Sequence, residues 1–255
     1  MLGVKDKRGI VGEGVMLMRV LTWNIVVGGL QSQFYSIINH LLDHHADIIV
    51  LTEFVDNDKG RAIAKNLFAA GYNYQNKHDS PYRAECVFVA SKIDFDDVTN
   101  HAKIALPYER WVELYFSEKD LYLLGVHIPS HMTSMYDRDL FFKQAIAYAK
   151  QHIEDRCLII GDYNTSWMMD SQGTLANSGE YLKELNELGW MESWRFMTSQ
   201  QKLLSGDMPL DYGFRIDYAY VSPRLQTDLI KCHLSTEPTL DGQSENEALL
   251  VDLNG

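Results

Sequence analysis

Eight short apolar runs, each closed by polar or turn-forming residues, constrain the fold more than any other feature of this chain: "RVLTWNI", "DIIVLTEF", "ECVFVAS", "RWVELYF", "LYLLGVH", "RCLIIGDYN", "RIDYAYVS" and "EALLVDL". Runs of this length and composition read as strands. Several are too continuously apolar to be half-exposed. Helical spacing of apolar residues is clearest in "QFYSIINHLLDHH", "GRAIAKNLFAAG", "DLFFKQAIAYAKQH" and "EYLKELNELG", with Gly71 and Gly189 as helix stops. Strands alternating with helices predict an α/β layered domain. The runs "RWVELYF" and "LYLLGVH", joined by "SEKD", imply hairpins and therefore a mixed sheet.

A length of 255 residues suits one domain with a sizeable core. We expect residues 1–17 to be a disordered lead-in and 18–255 to be the domain. The early basic cluster of "MLGVKDKRGIVGEGVML" is followed by an apolar stretch broken by Gly12, Glu13 and Gly14, which makes a poor signal peptide. At 46% hydrophobic and 23% charged residues the chain is too apolar for a disordered protein. No apolar run approaches the roughly 18 residues of a membrane span. The three cysteines, Cys86, Cys157 and Cys232, are scattered without CxxC spacing. That favours reduced thiols in a cytoplasmic protein over a disulfide frame or a zinc site. We expect a monomer.

The net charge of −12 means that a polyanionic ligand must be held by a local site or a metal ion rather than by an overall basic field. Such a site has candidates. "VLTW" leads to Asn24, "DIIVLT" to Glu53, "LYLLGV" to His127, "CLIIG" to Asp162 and Asn164, and "RIDY" carries Asp217. Burying a carboxylate costs several kcal/mol unless it is paired. Repeated delivery of carboxylates to the rims of buried strands therefore suggests one shared site, and carboxylate and amide oxygens suit Mg²⁺ or Mn²⁺. Taken singly, each residue has a plainer reading. Asn24 could cap a turn, Asp162 and Asn164 could form an Asx turn, Glu53 could pair with a surface cation, and His127 could be a hydrogen-bonded core histidine. Asp217 could form a local ion pair with Arg215.

The order and spacing of "LTWNI", "VLTEF", "GVHIPS", "IIGDYNT", "GFRIDYAYVS" and "SENEALLVDL" resemble the endonuclease/exonuclease/phosphatase superfamily, which includes exonuclease III-like nucleases, deoxyribonuclease I and neutral sphingomyelinases. The resemblance spans residues 18 to 253. It implies a four-layer α/β/β/α sandwich of two packed mixed sheets flanked by helices. It also implies that Glu53 ligates a metal, with Asn24 beside it supporting metal and phosphate. Asp162 would orient or deprotonate the attacking water, and Asn164 would hold the phosphate. His127, with Glu85 as a candidate carboxylate partner, would serve the leaving group or a phosphate oxygen.

The chain departs from the family before its last strand, where Ser-Asp-His is usual and Ser244, Glu245 and Asn246 stand instead. Glu245 keeps the charge with a longer reach, so metal ligation remains open to it. Asn246 can donate to a phosphate oxygen or to Asp217, but it cannot carry a proton near neutral pH. Loss of an imidazole there could lower the rate by about 10²- to 10⁴-fold.

These residues predict a Mg²⁺- or Mn²⁺-dependent phosphodiesterase, a nuclease before other substrates, working by in-line attack of a metal-assisted water. DNA and RNA are both open as partners. The alternatives are a phosphatase or phosphodiesterase on a small molecule or lipid head group, and a non-catalytic phosphate-binding module. A track of Lys59, Arg61, Lys77, Arg83, Lys92 and Arg110 could meet a nucleic-acid backbone. Tyr136, Trp167, Met168 and Met169 could stack on a base or insert beside a lipid, and the segment from Ser166 to Gly179 is a candidate substrate-facing loop.

Overall fold

The computed structural model describes residues 17–28, 34–76, 84–100, 108–130, 135–165, 179–205, 215–235 and 247–255. All eight runs are strands: β1 (Leu17–Asn24), β2 (Ile48–Val55), β4 (Glu85–Ser91), β6 (Trp111–Phe116), β7 (Leu121–His127), β8 (Cys157–Asp162), β10 (Asp217–Val221) and β12 (Leu249–Asn254). Three two-residue strands, β3 (Tyr74–Gln75), β5 (Asp96–Asp97) and β9 (Met191–Glu192), and the strand β11 (Leu229–Leu234) complete two sheets. The first runs β11-β12-β1-β2-β4-β3 and the second β5-β6-β7-β8-β10-β9. Both are mixed, since β1 with β2 and β7 with β8 are parallel and the other pairs antiparallel.

The helices are α1 (Phe34–Asp43), α2 (Asp58–Ala69), α3 (Met135–Gln151), α4 (Gly179–Glu187) and α5 (Ser193–Ser205). Strand alternation explains the layers. Val20, Val50 and Val89 of the first sheet meet Leu114, Leu123 and Ile160 of the second in the inter-sheet core. The odd-numbered neighbours Leu21 and Ile49 pack outward on Ile38 and Leu41 of α1 and Ile63 and Leu67 of α2. On the far side Leu124, Ile159 and Tyr220 pack on Phe141 and Ala145 of α3 and Leu182 of α4. The result is the expected four-layer sandwich, and sheets buried on both faces account for the continuous apolar runs.

The first strand begins at Leu17, within the expected lead-in, whose residues 1–16 lie outside the described residues. Glu245, Asn246, Lys77, Arg83, Trp167, Met168, Met169 and most of the 166–179 segment also lie outside them, as does the side chain of Tyr136. All three cysteines are free and buried. Among the described residues no helix is long and apolar enough to cross a membrane.

Candidate active site

The inter-sheet core ends in a cluster of polar groups because the inward-facing column of each strand ends in one. On β1 the column that holds Met18 and Val20 continues through Thr22 to Asn24. On β7 it runs Leu121, Leu123, Gly125, His127, on β8 Leu158, Ile160, Asp162, and on β10 Val221, Ala219, Asp217. Gly125 keeps its column narrow, since a Cβ there would lie 3.0 Å from Val87 Cγ1. His127 is level with Asp162 in the parallel β7–β8 pair, and Asp162 with Asp217 in the antiparallel β8–β10 pair. The same alternation that fills the core therefore delivers an amide, an imidazole and two carboxylates to one end of it.

Glu53 arrives by a different device. Simple alternation would send it outward with Leu51, but the β2–β4 register shifts between Leu51 and Phe54, and Glu53 has φ of 52°. The bulge lets Leu51 and Phe54 both pack in the outer layer despite their three-residue separation, and it re-aims Glu53 toward the site.

Asn24 ties the two sheets together. Its Nδ2 donates to Glu53 Oε1 and to Asp162 Oδ2, each at 2.8 Å, while its Oδ1 accepts from the Val26 amide at 3.0 Å. Asp162 Oδ1 accepts from the Asn164 amide at 2.7 Å, an Asx turn that coexists with the site. Asn164, at φ of 46°, donates Nδ2 to the Ile128 carbonyl at 2.9 Å. One amide hydrogen is thereby used, and an NH₂ group has two.

Arg110 is the residue that sequence reasoning did not place here. It ends a short 3₁₀ turn, Tyr108–Arg110, and lies between Glu85 and His127. Its Nη2 donates to Glu85 Oε2 at 2.6 Å, and its Nη1 is 3.2 Å from His127 Nε2. The expected Glu85–His127 partnership is thus mediated by a guanidinium. A signal for this existed in the hairpin: Trp111 is level with Val126, so one step back sets Arg110 beside His127. Arg215, expected near Asp217, instead pairs with Glu192 at 3.1 Å, donates to the Asp217 carbonyl at 3.3 Å and lies over the Trp194 and Tyr218 rings.

The carboxylates are poorly compensated. Burial, with the Glu53 charge, pushes Asp162 up to about 7 despite its hydrogen bonds. Burial and the facing Asp162 hold Asp217 far above the usual carboxylate range. Asp217 Oδ1 is buried with no hydrogen-bond partner among the described residues. Burial and then Arg110 bring His127 down to about 3, so its ring is neutral at pH 7. With Nε2 facing the Arg110 donor, the ring proton belongs on Nδ1, which is buried without a partner among the described residues.

Glu53, His127 and Asp162 each offer a ligand atom, and these atoms all lie within 4.8 Å of one another. Crowded carboxyl oxygens that resist ionisation, an orphaned Asp217 oxygen and a neutral imidazole are what a divalent cation would satisfy, and the oxygen-rich donor set fits a hard one.

The sequence matches the Endonuclease/Exonuclease/phosphatase family over residues 21–239, most of the chain. The chain belongs to that family. Its fold is similar to that of an AP endonuclease from Archaeoglobus fulgidus, with 16% identity over 93% of this chain and 100% of that one and a TM-score of 0.72. It is also similar to the 3′-5′ exonuclease NExo from Neisseria meningitidis, with 19% identity, the same coverage of both chains and a TM-score of 0.71. A structure of 3′ phosphatase NExo from Neisseria bound to a product DNA hairpin matches with 18% identity, 93% and 100% coverage and a TM-score of 0.71. No curated protein matches the chain. The family's members are phosphoester hydrolases.

Proposed function

We propose that the chain is a Mg²⁺- or Mn²⁺-dependent phosphodiesterase, acting on nucleic acid before other substrates. The observation that carries this is the convergence of Glu53, His127, Asp162 and Asp217, from both sheets, on one end of the inter-sheet core. Glu53 would hold the cation with Asn24 beside it, and Glu245 would add a carboxylate. A cation held there supplies positive charge against the anionic oxygens of the phosphodiester as charge builds in the transition state.

The protein's own groups do the rest. Asp162 would orient the attacking water and take its proton on a carboxylate oxygen. Asn24 fixes that carboxylate by its 2.8 Å bond. Asn164 keeps one Nδ2 hydrogen for a phosphate oxygen. His127, neutral and backed by the Arg110–Glu85 pair, would serve a phosphate oxygen or the leaving group by holding the Arg110 guanidinium in place rather than by acting as an imidazolium acid. Asp217, and Asn246 where the family usually has a histidine, would take the remaining catalytic roles.

Nucleic acid is supported by the family and by the likeness to an AP endonuclease and to a DNA-bound 3′ phosphatase. A small phosphoester is the second reading, favoured by the net charge of −12 and by the state of the basic track. Arg61 is bound to Asp56 and Asp58, Arg110 to Glu85, and Lys92 lies over the Tyr72 ring. The test is product release from single-stranded and duplex DNA, RNA and bis-p-nitrophenyl phosphate with Mg²⁺, with Asp162→Asn as control. Turnover of a nucleic acid that Asp162→Asn abolishes is expected. Turnover of the small ester alone would favour the second reading, and binding without product in every sample would overturn hydrolysis.

A further inference from the structure

A second cluster of ligating groups sits on the outer face of the first sheet. His40 lies in the last turn of α1 and His44 directly after the helix, a spacing that puts both side chains on one face. Their rings meet edge-on at 4.6 Å between centroids, and their Nε2 atoms are 3.2 Å apart. Two nitrogens bound to one tetrahedral Zn²⁺, each about 2.0–2.1 Å from it, lie about 3.3 Å apart. The pair is held from several sides. The Trp23 ring packs 4.9 Å from that of His40, Ser235 Oγ at the end of β11 is 3.3 Å from His40 Nε2, and Arg19 Nη1 donates to the His44 carbonyl at 3.0 Å.

His233 flanks the pair from β11, near enough to act on His44, and its Nδ1 is buried with no hydrogen-bond partner among the described residues. Burial first, then His40, Arg19 and His233, bring His44 down to about 4. No proton therefore competes with a metal for that ring at neutral pH.

We propose that His40 and His44, flanked by His233, bind a borderline transition-metal ion of the Zn²⁺ class at the junction of α1 and β11. Imidazole donors select such an ion and discriminate against Mg²⁺. Because the i,i+4 pair forms only while the last turn of α1 is folded, an ion held there stabilises the folded chain. The site is built from residues that the hydrolytic reading does not use, so each stands or falls alone.

The test uses the full chain, ¹⁵N-labelled at histidine and held in excess Mg²⁺ to occupy the carboxylate site, with Zn²⁺ added up to one equivalent. The ring resonances of His40 and His44 are expected to shift first, with those of His45 and His152 unmoved. Competition against a chromophoric chelator, run on an Asp162→Asn background, is expected to count one ion fewer in His40→Gln and His44→Gln and no change in His45→Gln. If Zn²⁺ leaves the His40 and His44 resonances in place, or both variants hold as many ions as the parent, the pair is only a hydrogen-bonded imidazole contact and the proposal fails.

Discussion

Asp162 and Asp217 stand level with each other on the antiparallel strands β8 and β10, two buried carboxyl groups side by side on the inner face of one sheet. Burial raises both above the ordinary carboxylate range, with the Glu53 charge adding to the effect on Asp162 and the Asp162 charge to that on Asp217. A carboxyl group whose folded pKa exceeds its unfolded value stays protonated in the folded chain while it ionises in the unfolded one. Stability is therefore full below about 4 and falls as pH rises toward 7. His127 acts in the opposite sense, losing stability as pH falls from about 6.5 toward 3. Thermal melts of metal-free protein should separate the two effects. The stability advantage of Asp162→Asn over wild type should grow between pH 4 and pH 7 and shrink when Mg²⁺ is added. An advantage independent of pH would contradict the upward shift.

Burial first and then Arg110 keep His127 neutral, and Arg110 also anchors Glu85. Arg110→Ala should raise the His127 pKa, read by NMR titration, and lower turnover by roughly 10²-fold through loss of a positive charge beside the phosphate position. An unmoved His127 titration would mean that burial alone sets its protonation.

Gly161 has φ of 142°, and a Cβ built there would lie 2.0 Å from the Val126 carbonyl oxygen on the adjacent strand. Gly161→Ala must part β7 from β8 just where His127 and Asp162 are matched. We expect a loss of about 2–4 kcal/mol in urea denaturation, with activity falling further than stability. Full activity in the folded variant would show that this register is not needed.

The orphaned Oδ1 of Asp217 bears on the Ser-Glu-Asn departure. If Asp217 faces residue 246, Asn246→His supplies both a partner for that oxygen and a group that can carry a proton. Turnover should then rise, by up to about 10²-fold. An unchanged rate in steady-state assays would mean that the chemistry has been reorganised around His127.

Much of this arrangement was legible in the sequence, for a physical reason. Asn24, His127, Asp162 and Asp217 end strands whose inward columns are otherwise apolar, and a period of two carries that pattern into the site. The four helices that cover the sheets showed the same regularity. What stayed hidden depends on breaks in regularity or on distant partners. Glu53 reaches the site through a bulge that alternation does not reveal. Arg110 comes from a 3₁₀ turn, and its place follows only once the β6–β7 register is counted backwards. Strand β11 and helix α5 do not stand out in the sequence because "LIKCHL" and "SWRFMTSQQKLLS" interleave polar residues with apolar ones, of which Leu229, Leu234, Trp194 and Met197 pack on the inter-sheet core while only partly buried.

The most direct measurement is phosphodiester hydrolysis by exhaustively chelated protein as Mg²⁺ or Mn²⁺ is returned, for wild type and Glu53→Gln in parallel. The account expects no turnover without metal, recovery that saturates with added ion in wild type, and a loss of roughly 10²-fold or more in Glu53→Gln. Hydrolysis that persists in the chelated protein, or that survives intact in Glu53→Gln, would contradict it.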